Sequence, residues 1–208
     1  MSADSIDSKS TGDPQRFRSL DDLISTLRSM PRADENSGRV SLLMRRGEGG
    51  RRETLDNVRL EKDIGVAGDA WGRSEHRKPD MEIAVMQRNV AELIANGQSL
   101  TLFGDCMILD LDLSSGNLPA GSRVQAGAAL LEVTPMPHNG CNKFRSRFGQ
   151  DALRFVSMSQ LRHRNLRGIY MRVVKGGDVK LGDPVQVISR PSPVPPAEAE
   201  ERAHSSAK

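Results

Sequence analysis

Cys141 lies in the run Pro135-Met-Pro-His-Asn-Gly-Cys-Asn-Lys-Phe-Arg-Ser-Arg147, behind an Asn-Gly pair and ahead of Lys143, Arg145 and Arg147. Asn-Gly favours a turn, and a turn exposes the thiol that follows it. Nearby cations favour thiolate over thiol and draw the pKa down from its usual value of about 8.5. Such a sulfur can act as a nucleophile, a sulfur carrier or a soft metal ligand. His138 is either its proton partner or a solvated turn residue. The other cysteine, Cys106, runs into Met-Ile-Leu and reads as a small hydrophobe in a buried strand.

The charge around Cys141 is lopsided. Residues 138–180 hold ten Lys or Arg against Asp151 and Asp178, a local +8 in a chain of net +3, so the remainder carries −5. An excess of that size points to an anionic partner. Nucleic acid fits poorly, because one Trp, one Tyr and five Phe give no stacking platform and no duplex-docking element is visible. A small phosphate-bearing molecule explains the charge at least as well. Arg167-Gly-Ile-Tyr-Met-Arg172 reads as a strand, where arginines are either solvated or supply forked donors to phosphate. Gly65-Val-Ala-Gly-Asp69 has no P-loop helix behind it.

The elements that must position these residues are mostly short strands. Ser19-Leu-Asp-Asp22 resembles a capping box and opens a helix through Leu23, Ile24 and Leu27 that stops before Pro31. Strands are expected at Gly38–Arg46, Thr54–Val58, Leu100–Phe103, Met107–Leu113, Arg123–Gln125, Ala129–Thr134, Gly168–Val174 and Val185–Ile188. Helical spacing of Ile83, Met86, Val90, Leu93 and Ile94 predicts a helix over Asp80–Asn96, and another is expected over Asp151–Leu161. Gly121-Ser-Arg-Val-Gln125 echoes Gly182-Asp-Pro-Val-Gln186, each a tight turn feeding a strand. The pattern indicates a mainly β, α+β domain, a small barrel with a few peripheral helices.

That domain is expected over residues 16–190. A Ser/Asp/Gly-rich tail (1–15) and a Pro/Ala/Glu-rich tail (191–208) cannot bury enough surface to order. No apolar run of membrane length, no signal peptide and only two cysteines make a cytoplasmic, thiol-bearing protein the expectation.

Taken in order, Gly65-Val-Ala-Gly-Asp-Ala-Trp71, Leu102-Phe-Gly-Asp105, Gly127–Thr134, His138-Asn-Gly-Cys-Asn-Lys-Phe144, Arg147-Phe-Gly149, Arg167-Gly-Ile169 and Val179-Lys-Leu-Gly-Asp183 resemble the MOSC domain. This is the module that ends molybdenum-cofactor sulfurases and also occurs as stand-alone bacterial proteins. The resemblance runs from about Arg39 to Arg190 and implies a β-barrel-rich fold. It places the family's cysteine on Cys141, implying sulfur carriage there or contact with molybdenum in a bound pterin (molybdopterin), within an oxidoreductase or sulfur-transfer protein. The alternative is a non-catalytic anion-binding or interaction module that keeps the fold.

The chain lacks the aminotransferase-like domain of the sulfurases, so pyridoxal phosphate, a family-level association, is not expected here. It also lacks a ferredoxin-type cysteine cluster, so a separate electron donor or a sulfurtransferase is the expected partner. Cys106 stands where the family pattern has Asn. On this reading Cys141 is the metal ligand or sulfur carrier and His138 its proton partner. Lys143, Arg147, Arg167 and Arg172 are expected to converge on one concavity with Cys141, with Asp105 and the loop through Gly68 and Asp69 at its rim.

Overall fold

The computed structural model describes residues 5–6 and 11–192. In chain order the elements are β1 (Ser5–Ile6), α1 (Leu20–Ser29), β2 (Ser37–Arg46), β3 (Arg52–Thr54), β4 (Asn57–Glu61), β5 (Gly65–Val66), β6 (Ile83–Gln87), α2 (Arg88–Ala95), β7 (Met107–Leu109), β8 (Arg123–Ala126), β9 (Ala129–Pro137), α3 (Asn142–Phe148), α4 (Gln150–Ser157), β10 (Ile169–Lys175), β11 (Gly177–Lys180) and β12 (Pro184–Ser189). Seven strands close a barrel in the order β2-β12-β8-β9-β10-β6-β7, with β7 returning to β2. Only β6 and β7 pair in parallel within it. A parallel pair needs a crossover, and α2 supplies it. Strands β11, β4 and β5 form a separate small sheet.

Val40, Val85, Leu109, Leu131, Met171 and Val185 fill the barrel. A second apolar layer, built from Leu23, Met86, Ile94, Phe103, Phe144, Phe148 and Phe155, packs the four helices against its wall. The mainly β, α+β expectation is met. The echoed turns are also real: β8 and β12 are neighbours, Gln125 opposite Gln186, and Gly121 and Gly182 both take positive φ.

The long helix expected over Asp80–Asn96 is not one element. Pro79–Met81 is a 3-10 turn, Ile83–Gln87 is a strand, and only Arg88–Ala95 is α-helical. All five residues of β6 are buried, because the barrel core lies on one side and the helical layer on the other. A strand buried on both faces is a continuous apolar run, which periodicity alone cannot separate from a helix. The helix ends where Asn96-Gly97 predicts, with Asn96 capping it in the left-handed region at φ 48°.

Leu100–Phe103 is a 3-10 turn rather than a strand, with Ser99 Oγ accepting from the Thr101 N–H and Gly104 ending it at φ 78°. The strand expected to Leu113 stops at Leu109. The Asp151–Leu161 helix is α4 followed by a 3-10 stretch to Arg164. Helix α3 was not expected: Phe144 and Phe148 face inward at helical spacing while the cations between them obscure the pattern.

Most of both expected tails lies outside the described residues. Residues 11–15 lie within them: the Gly12 N–H donates to Ser146 O, and Asp13 caps a 3-10 turn at Pro14–Arg16. The ordered body therefore starts before Arg16. Among the described residues no helix is long and apolar enough to cross a membrane.

Candidate functional site

Where β9 ends, His138-Asn-Gly-Cys141 leads into α3 with Cys141 as its N-cap residue, exposed and making no side-chain capping bond. Gly140 packs closely under α4. A Cβ there would stand 2.5 Å from Leu153 Cδ1 and 3.2 Å from Val156 Cγ2 of α4. The helix is seated by its aromatics, with Phe148 stacked on Phe103 at 4.2 Å and Phe144 tilted against both. Arg147, one turn along, donates from Nη1 to Leu102 O at 3.0 Å. Sequence thus fixes the docking of α3, and the docking aims Cys141, Lys143 and Arg147 at one concavity.

That concavity is about 450 Å³, within the range of small-molecule sites. Cys141, His138, Lys143, Arg147, Arg167 and Asp105 all line it. Three expected residues do not. Asp69 is turned inward, 2% exposed, accepting from Arg46 Nη2 at 2.6 Å and from the Trp71 N–H at 2.8 Å. Gly68, at φ 77°, packs beside Arg45. Instead the next two residues, Ala70 and Trp71, reach the cavity. Arg172 is exposed on β10, bonded to Glu132 and facing a neighbouring cavity.

Arg46, Arg52, Asn139 and Tyr170 line the cavity without having been singled out as site residues. Arg46 and Arg52 are far upstream and flank a glycine-rich turn, so no local spacing links them to Cys141. Tyr170 could have been found from strand alternation at Arg167–Arg172.

Five cations (Arg46, Arg52, Lys143, Arg147 and Arg167) line the cavity, against the single carboxylate Asp105. Arg52, Arg147 and Arg167 are 2%, 7% and 8% exposed. Asp105 Oδ2 accepts from Arg167 Nη1 at 2.7 Å. Burial pushes the Asp105 carboxyl above the ordinary range, with Arg167, Arg46 and Arg147 opposing that shift. Arg167 also lies 5.3 Å from the centre of the Phe144 ring.

His138 Nδ1 stands 3.5 Å from Asp105 Oδ1, and its ring rests on Tyr170 with centroids 4.3 Å apart. Burial, then Arg167 and Arg46, hold the imidazole pKa well below its usual value. The contact with Asp105 is therefore not an ion pair, and His138 is a neutral ring within the wall rather than a solvated turn residue.

This yields a pH prediction. The depressed pKa of His138 means that, as pH falls below about 6.5, the unfolded chain takes up a proton that the native chain refuses, and stability drops by up to about 1.4 kcal/mol per pH unit. Asp105 and Glu82 are shifted upward and act in the opposite sense. The difference between wild type and His138→Gln, measured by urea melts from pH 7.5 to 5, isolates the histidine. The wild type should lose more stability on acidification, whereas parallel curves would contradict the assignment.

The two thiols contrast sharply. Cys106 is 1% exposed, and burial pushes its thiol up to about 11. Cys141 is exposed at the cavity lip. Limiting maleimide at neutral pH followed by peptide mapping should label Cys141 almost alone; preferential labelling of Cys106 would overturn the site. Among the described residues no group of three or more His, Cys, Asp or Glu is placed to hold a metal ion.

A family model for the MOSC domain matches residues 76–186. The YuaD protein of Bacillus subtilis superposes with a TM-score of 0.55 at 18% identity, over 74% of this chain and 97% of that one. YiiM from Escherichia coli superposes with a TM-score of 0.51 at 21% identity, over 75% of this chain and 72% of that one. At these identities the likeness carries the fold alone. A comparison with curated proteins found no match.

Proposed function

The chain belongs to the MOSC domain family, and on that premise we propose that its cavity binds a phosphate-bearing pterin of the molybdopterin class, with the Cys141 sulfur as the protein's ligand to the metal. The observation that carries this reading is the lining of five cations against one carboxylate, with an exposed thiol at the lip. Asp105 answers Arg167 and Asp69, behind the wall, answers Arg46; with both counted, cations still outnumber carboxylates, which favours an anion, and planar guanidinium forks match phosphate oxygens. Molybdenum accepts soft sulfur, which Cys141 offers.

The residues present fit such a group. Arg52, Arg147 and Lys143 would hold phosphate, Arg167 is fixed by Asp105, and Trp71 and Phe103 supply apolar surface. When bound, the group would supply redox chemistry at molybdenum, with electrons drawn from a separate donor. Neutral His138 and Tyr170 are the protic groups of the wall.

Inorganic pyrophosphate tests the anion site. It should bind in a salt-sensitive manner and slow alkylation of Cys141, since both occupy one cavity. An alkylation rate indifferent to saturating pyrophosphate would count against the proposal.

A further inference from the structure

A second cavity adjoins the first at Trp71. Tyr170 of β10 pairs with Ala84 of β6, and both line the first cavity. Arg172 and Glu82, each two residues along in the same direction, line a second cavity of about 550 Å³. Alternation puts Arg172 on the same outer face as Tyr170, while Met171 and Val173 belong to the barrel core; Glu82, just ahead of β6, accepts from the Val173 N–H. The two are neighbouring cavities that share Trp71.

The indole is firmly placed. The Trp71 N–H donates to Asp69 Oδ2 at 2.8 Å, Nε1–H donates to Lys78 O at 3.1 Å, and the Arg77 guanidinium lies 5.6 Å from the ring centre. Lys62, Arg77, Arg123 and Arg172 line the second cavity against Asp63, Glu82 and Glu132. Two of those carboxylates are already engaged. Glu132 accepts from both Arg123 and Arg172, and Glu82, 4% exposed, accepts from the Val173 N–H. Four cations against three carboxylates leave one positive charge in excess, and Arg77 sits at the Trp71 face, which suits a flat ring carrying one anionic group.

We propose that the second cavity is a subsite for a planar aromatic anion, its ring against Trp71 and its charge toward Arg77 and Lys62. Its role as the seat of the compound that meets the first cavity's ligand rests on the function proposed above. Its binding does not.

Trp71 is the chain's single tryptophan and lines both cavities, so its emission, corrected for absorption by the nitro ring, reports binding in either and the variants assign the site. The full chain is titrated with 4-nitrobenzoate, with its neutral amide 4-nitrobenzamide, and with acetate. The acid should quench Trp71 saturably and bind about tenfold tighter than the amide, the worth of one charged contact, and acetate should leave emission unchanged. Arg77→Glu should erase the preference for the acid, whereas Arg147→Gln in the first cavity should leave it intact. Equal binding of acid and amide, or a preference lost in Arg147→Gln and kept in Arg77→Glu, would overturn the proposal. Pyrophosphate titration of the same proteins reads the first cavity separately, so failure of one reading is distinguishable from failure of the other.

Discussion

Asp105→Ala is expected to destabilise the protein by about 3–5 kcal/mol, the cost of breaking a buried ion pair from one side. Asp105 is 2% exposed and Arg167 8% exposed, so neither can turn to solvent. Burial already pushes the carboxyl upward despite Arg167, which means the pair as a whole gains little over its hydration. Removing only the carboxylate is far worse. It strands the Arg167 guanidinium in a wall it shares with Arg46, Arg52 and Arg147. At about 2–4 °C per kcal/mol for a chain of this size, thermal unfolding should shift down by roughly 6–20 °C. Adding Arg167→Met to Asp105→Ala should recover most of the loss, because a same-sized apolar chain needs no counter-ion. A double variant as unstable as the single one would show that Asp105 acts through something other than Arg167.

Arg147→Gln should weaken pyrophosphate binding by about ten- to a hundredfold, the worth of a charge-assisted contact of roughly 1.5–3 kcal/mol. The substitution removes the charge and keeps a polar side chain where Arg147 now bonds Leu102 O, and a thermal melt of the variant checks that the fold is kept. Cys141→Ser should leave pyrophosphate affinity within about twofold, since a hydroxyl replaces a thiol that contributes no charge-assisted phosphate contact. Isothermal titration of the three proteins at fixed salt decides the matter. Equal affinities for wild type and Arg147→Gln would remove phosphate from the cavity.

How far the sequence reveals this site depends on the residue. Cys141 and Cys106 are correctly distinguished by their neighbours, an Asn-Gly turn in one case and an apolar run in the other, because exposure is decided locally. Arg147 and Lys143 are legible by proximity to Cys141. Arg172 was misplaced because alternation gives a residue's face and not its station along that face: Tyr170 and Arg172 point the same way yet open into different cavities. Arg46 and Arg52 could not be read at all, since only closure of β2 against β7 brings their turn to the mouth. Asp69 shows a third limit. An acidic residue in a glycine loop reads as a rim group, but its carboxylate is consumed in holding Arg46. The misread helix at Asp80 has the same root, because burial of β6 on both faces is a property of the assembled layers.

The cavity is proposed to hold a molybdopterin-class cofactor through its cations and through Cys141. The direct measurement is molybdenum and pterin content per chain in protein purified from a molybdenum-replete host, with Cys141→Ser and Arg147→Gln prepared alongside. Molybdenum and pterin are expected together in the wild type, pterin retained with molybdenum lost in Cys141→Ser, and both diminished in Arg147→Gln. Wild-type protein free of molybdenum and pterin, or a Cys141→Ser variant loaded with metal as fully as wild type, would contradict the proposal.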